Sequence, residues 1–181
     1  MASPLSMTSY ALLSLLVIDS DNQDGLTGYE LKQRADFTLR FYWVSPAMSQ
    51  IYTELDRLRS HAYVSTEEEA SGRRPTRRFR ITSAGRTALT TWLHEPTDDF
   101  PVLKHPVALR LMLGAMMGAD EVAAMLDRYE EALVERRREL EAVREMLGDR
   151  ESVAYAARVA DWGLTFFDAE ATAIERTRDS L

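Results

Sequence analysis

The sequence predicts a mainly α chain in two parts. Three helices, a two-stranded β-hairpin and a fourth helix fill residues 1–95, and helices alone follow. Three observations carry this. Apolar residues recur at helical spacing at Leu31, Ala35 and Leu39, and again at Ile51, Leu55 and Leu58. Val64/Thr66 and Phe79/Ile81 alternate on either side of the polar EEEASGRRP, as two half-buried strands do. Leu126, Leu133, Leu140 and Leu147 then recur every seven residues, beyond a stretch holding three of the six prolines.

Residues 7–18 run from Thr8 and Ser9, expected caps, into Leu12, Leu13, Leu15, Leu16 and Ile18, a buried helix. DSDNQDG after it is a loop by composition. Thr27 opens the second helix, and Glu30 stands where a capping box needs it. Ser45-Pro46 reads as cap and first residue of the third, which ends near His61-Ala62-Tyr63. Strands are expected at Tyr63 to Thr66 and Arg77 to Thr82, with EEEASGRRP as a charged tip. Thr82 or Ser83 caps a fourth helix carrying Ala88, Leu89, Trp92 and Leu93. Three helices and a two-stranded wing make a winged helix-turn-helix over 1–95. HEPTDDFPVLKHP supplies a proline-containing linker, 96–106, and 107–181 form an all-helical C-terminal dimerisation domain. There Val107 to Met117 is a short apolar helix, Asp120 caps a long one to Leu147, and a last one spans roughly 151–178.

The 181 residues lack cysteine, which excludes a disulfide framework and Cys-based zinc or nucleophile chemistry. The apolar run at 10–18 is too short for a span and has no leader-like flanks, so a soluble cytoplasmic protein is expected. His61, His94 and His105 are not at metal-ligand spacing. No glycine-rich phosphate loop, HExxH or GxSxG is present, so neither catalysis nor a cofactor is expected. The net charge of -7 is uneven: residues 1–95 carry 11 basic and 11 acidic groups, so all the excess acid lies after them. RRPTRRFRIT at 73–82 holds five arginines inside the neutral half.

Cations on a separate hairpin suit a line of phosphates, and the arginine fork engages phosphate or guanine with two bonds. On a strand of period two, Arg78 and Arg80 share an exposed face, while Phe79 and Ile81 point to the core. Arg73 and Arg74 sit at the tip and Arg77 at the strand's edge, and these three are assigned to the DNA backbone or minor groove. Ser45, Ser49, Gln50, Tyr52 and Thr53 occupy the first turns of the recognition helix and face the major groove. The plainer reading is a solvated hairpin whose arginines pair with Glu67, Glu68 and Glu69.

SQIYTELDRLRSHAYV followed by GRRPTRRFRITSAGRTAL resembles the PadR-like family of bacterial transcriptional regulators. Ile51, Tyr52, Leu55 and Leu58 match the family's helix core, and Gly72, Arg74, Arg77, Phe79, Ile81, Thr82, Gly85 and Leu89 match its hairpin and exit. Thr53 stands where many members have proline or arginine, and His61-Ala62 replaces an acidic-glycine pair. The C-terminal half is similar to that of the longer members, described for virulence-gene activators. The resemblance implies a dimeric DNA-binding repressor or activator, often controlled by a small aromatic molecule or a partner.

A single winged helix reads half a site, so a homodimer is expected, with repression the favoured action. Its seam is assigned to Leu126, Tyr129, Leu133, Leu140, Val143 and Leu147, with Leu164 and Phe167 of the last helix. Arg136 in that seam calls for an acidic partner across the interface. The same heptads also suit a helical hairpin inside one subunit. Trp92, Trp162 and Phe166 are candidates for an effector pocket, against an ordinary core role. The alternative function is a helical adaptor that binds protein and not DNA.

Overall fold

The computed structural model describes residues 5–18, 25–41, 43, 45–69, 76–96 and 104–181. The chain divides into two compact units, Met1–Asp98 and Asp99–Leu181.

In the first unit, α1 (Met7–Ile18), α2 (Gly28–Thr38) and α3 (Met48–Ser60) pack around a core that α4 (Ser83–His94) and a small sheet complete. Leu12, Leu13, Leu31, Ala35, Ile51, Leu55 and Leu58 are fully buried there. The helical spacing seen in the sequence therefore marks the inward faces. The sheet holds β1 (Leu26–Thr27), β2 (Val64–Glu69) and β3 (Thr76–Ile81) in the order β1-β3-β2, both pairs antiparallel.

The hairpin is thus joined by a third strand. A two-residue strand has no readable period, and Gly25, at φ +74, turns the chain beside Phe79 so that Leu26 faces it. Glu67, Glu68 and Glu69, expected in the loop, belong to β2 and stand opposite Arg78, Arg77 and Thr76.

Several helix ends differ from expectation. The Ser9 amide donates to Ser6 Oγ at 3.0 Å, so Ser6 caps α1 in place of Thr8 or Ser9, both of which are buried. Helix α3 begins at Met48, behind an Ala47 cap that offers no side-chain bond. Proline disfavours helical geometry in the residue before it, which suits Ser45 to a connector as well as to a cap. Ser45 Oγ instead donates to Asp36 at 2.5 Å and accepts from Lys32 Nζ at 3.2 Å. The capping box of α2 forms in full: Thr27 Oγ1 accepts from the Glu30 amide and Glu30 accepts from the Thr27 amide. Thr82 caps α4 through the Gly85 amide at 3.0 Å.

In the second unit, α5 (Pro106–Leu111) packs on α6 (Ala119–Leu147), and α6 packs along α7 (Ala154–Arg178) as a long antiparallel hairpin. The expected single helix to Met117 breaks after α5 and resumes as a 3₁₀ turn, Gly114–Met116. Gly118, at φ 90, occupies the N-cap of α6, which places Asp120 in the first turn instead of at the cap. There its charge still favours the helix dipole. Gly148, at φ 59, ends α6 as expected.

Candidate nucleic-acid interface

Helix α3 buries Ile51, Leu55 and Leu58 and turns Ser49, Gln50, Tyr52, Thr53, Asp56 and Arg59 outward. The inward face holds the helix on the core, and a polar strip is left for a partner. The pose of α3 is also fixed by α1. Ser6 Oγ donates to Glu54 Oε2 at 2.7 Å, the fully buried Ser9 hydroxyl donates to the same oxygen, and Gln50 Nε2 reaches Thr8 Oγ1 at 3.4 Å. Thr53 Oγ1 donates to the Ser49 carbonyl one turn back. Tyr52 is 46% exposed, and its ring covers the start of α2: a Cβ at Gly28 would lie 2.7 Å from it. That leaves Ser49, Gln50, Tyr52 and Thr53 together on the outer strip, whereas Ser45 lies before the helix and is tied to Asp36.

The helix ends in a complete Schellman arrangement, with the Tyr63 amide donating to Leu58 O and the Ala62 amide to Arg59 O. Ala62 sits at φ 56, so an alanine takes the left-handed position a glycine favours. The chain then enters β2 directly, bringing the wing beside α3.

On the wing, Phe79 is buried and Arg77 and Arg80 are exposed. Arg78 departs from the expected exposed face: it is half-buried, and Nη1 donates to the Gly25 carbonyl at 2.9 Å and to Glu30 at 3.4 Å. Strand β1 and the start of α2 lie over it, which is the consequence of the third strand. Burial raises the Glu30 pKa. The hydrogen bonds from Thr27 and the nearby Arg78 charge reverse that, and its carboxyl lies below the ordinary range. Arg80 pairs with Glu67 at 3.0 Å, and Arg77 lies 3.9 Å from Asp56 of α3. Asp56 also meets Arg59 at 3.3 Å. Arg73 and Arg74 lie outside the described residues.

The second unit places the heptad series inside one chain. Leu126, Leu133, Leu140 and Val143 of α6 are buried, as is Phe167 of α7, while Leu147 and Leu164 are half-buried. Charge pairs flank this seam at three levels, Arg137–Asp168, Arg144–Asp161 and Arg178–Asp127. Arg136 lies 3.8 Å from Glu139 of its own helix. Tyr129 closes a polar cluster: its hydroxyl donates to Glu170 Oε1 at 3.1 Å, where His105 Nε2 also reaches at 2.5 Å. His105 Nδ1 accepts from the Ala108 amide at 3.1 Å and caps α5, which assigns the imidazole proton to Nε2.

The three effector candidates have separate surroundings. Trp92 stacks on Tyr10 with ring centroids 4.5 Å apart and belongs to the first unit's packing. Trp162 is 76% exposed on α7, with Phe166 one turn further on and also exposed.

Asp56, Arg59 and Glu54, and the contact of Glu30 with Arg78, had no place in the sequence-based expectations. Asp56 and Arg59 share the outer strip with Tyr52 and Thr53 at helical spacing, a signal the sequence does carry. The contacts of Glu54 and Glu30 span 48 positions and have no local signature. Among the described residues no group of side chains is arranged to hold a metal ion, and no helix is long and apolar enough to cross a membrane.

Residues 15–91 match the model of the transcriptional regulator PadR-like family. No curated protein matches the chain. Bacillus subtilis PadR solved with operator DNA is similar over 97% of this chain and 99% of its own, at 19% identity and a TM-score of 0.83. The same protein solved with p-coumaric acid aligns over 97% and 98%, at 18% identity and a TM-score of 0.76. The Vibrio cholerae virulence activator AphA aligns over 95% and 96%, at 17% identity and a TM-score of 0.71. At these identities the likeness to solved structures is one of fold.

Proposed function

We propose that this chain, which belongs to the PadR-like family through residues 15–91, is a sequence-specific regulator of transcription that binds double-stranded DNA as a homodimer. The observation that carries the reading is the juxtaposition of the polar strip of α3 with the arginine-bearing strand β3. Arg77 on the wing lies 3.9 Å from Asp56 on the helix, so both elements face one partner together. A duplex offers two surfaces at that separation, base edges in the major groove and the flanking phosphates. Ser49, Gln50, Tyr52 and Thr53 then enter the major groove. Arg77, with Arg73 and Arg74, takes the backbone or the minor groove.

Residues 1–95 form the DNA-binding domain, 96–106 the linker and 107–181 the dimerisation domain. The α6–α7 seam is satisfied within one chain, so the second copy meets other apolar residues of that domain. Tyr155, Trp162 and Phe166 of α7, with Leu109, Met112 and Met116, are all exposed there. The exposed aromatics on α7 also suit a small aromatic effector, and Bacillus subtilis PadR, similar in fold, is solved in complex with p-coumaric acid. Acting in the cytoplasm, the dimer represses by occupying an operator.

The test is a gel shift with a fragment upstream of the gene, run at two salt concentrations. Binding weakens at higher salt, and Arg77→Ala lowers affinity about threefold to tenfold through a lost phosphate contact. Unchanged affinity in Arg77→Ala combined with Arg74→Ala removes the wing from the interface, and no binding at low salt leaves a protein-binding adaptor as the reading.

A further inference from the structure

We propose that Asp56 and Glu67 are specificity-determining residues that act as tethered counterions for exposed arginines of α3 and the wing, among them the DNA-facing Arg77. The inference rests on the DNA-binding reading and goes beyond it. Asp56 lies on the outer strip of α3, 3.3 Å from Arg59 and 3.9 Å from Arg77. Glu67 lies on β2, 3.0 Å from Arg80. Their side chains are 58% and 65% exposed, and the arginines 42% to 48%. Exposed pairs of this kind add little to stability. Asp56, beside the Arg77 proposed to meet phosphate, and Glu67, beside Arg80 of the same wing, therefore do not serve the fold, and on simple electrostatics they oppose binding.

Their effect follows from counterion exchange. An arginine that meets a phosphate ordinarily releases one condensed cation from the DNA, and affinity falls with salt accordingly. Here the arginine must first leave its carboxylate. The freed carboxylate repels the phosphate or gathers a cation from solution, which offsets the one released. Any duplex meets this penalty. Only a sequence whose base edges are also matched by α3 adds contacts that overcome it. The two acids thus suppress sequence-independent binding more than operator binding, and make affinity less salt-sensitive than the number of arginines implies. Glu30 is different: it is half-buried between Arg78 and the Thr27 cap and holds the fold.

The experiment measures fluorescence anisotropy of the full chain on a random-sequence duplex and on the upstream fragment, across salt, for wild type, Asp56→Asn and Glu67→Gln. Asp149→Asn, at a 98% exposed carboxylate in the second unit, controls for net charge. Each of the first two variants is expected to bind the random duplex about three- to tenfold more tightly at low salt. Each should also steepen the slope of log affinity on log salt by about 0.9 and narrow the ratio between the two duplexes. Wild-type affinity and slope in both variants, or an equal gain in Asp149→Asn, overturn the proposal. A wild-type chain that binds neither duplex at low salt fails the DNA-binding reading itself, and this inference falls with it.

Discussion

Ala62 and Gly85 fix where the recognition helix gives way to the wing. Ala62 holds φ 56 with a Cβ that disfavours it, so Ala62→Gly removes a local strain. The expected gain is about 0.5–1 kcal/mol, seen as a raised thermal midpoint. Gly85 has no such freedom: a Cβ there would lie 2.2 Å from the Tyr63 carbonyl oxygen, which is backbone and cannot swing aside. Gly85→Ala should lose roughly 2–3 kcal/mol in denaturant unfolding. A Gly85→Ala chain as stable as wild type would contradict the close packing of α4 on the end of α3. The sequence marked this junction as unusual, since His61-Ala62 stands in a place that suits glycine. It could not say that alanine would take the left-handed geometry unaided, because that depends on the carbonyls of Leu58 and Arg59 waiting for the next two amides.

At the scale of elements, periodicity was a good guide to faces and a poor guide to partners. The inward residues of α2 and α3 and the strand alternation at Phe79 were legible, because burial imposes a period on the side chains. Strand β1 was not, since two residues have no period, and with it went the half-buried role of Arg78. The leucine heptads were legible as a seam, yet a heptad says nothing about whether its mate lies in the same chain. In the structure the mate of α6 is α7 of the same chain, and contacts between them such as Arg137–Asp168, 31 positions apart, have no local pattern to announce them. The polar cluster beside this seam gives α6 and α7 a pH dependence. Burial first, then the Glu170 carboxylate, push the Tyr129 hydroxyl up from 10.0 to about 12. A group whose folded pKa is raised contributes fully below its unfolded value and loses that contribution as pH rises through the folded one. Helix content of the second unit should therefore weaken between pH 10 and about 12. Tyr129→Phe should remove that step, followed by circular dichroism. An unchanged alkaline step in Tyr129→Phe assigns it to another group.

For the whole molecule, the proposed function needs two winged units on one duplex about a helical turn apart, so dimerisation and DNA binding stand or fall together. With the heptad seam closed inside each chain, Trp162 becomes the test of the second contact. Trp162→Glu places a charge on the exposed stripe of α7 and should convert the dimer to monomer in light scattering, with the fold intact by circular dichroism. A persistent dimer would move the interface elsewhere on the chain. The net charge of -7 is consistent with this division of labour, since the acid excess lies in the C-terminal half and leaves the half proposed to meet DNA neutral. The most direct test of the account is sedimentation of the full chain with a duplex from upstream of its gene, at low and moderate salt. Two chains are expected on one duplex, with affinity falling at least roughly tenfold between about 50 and 200 mM salt. A chain that stays free of the duplex at about 50 mM salt, or that binds it singly with no dependence on salt, would contradict it.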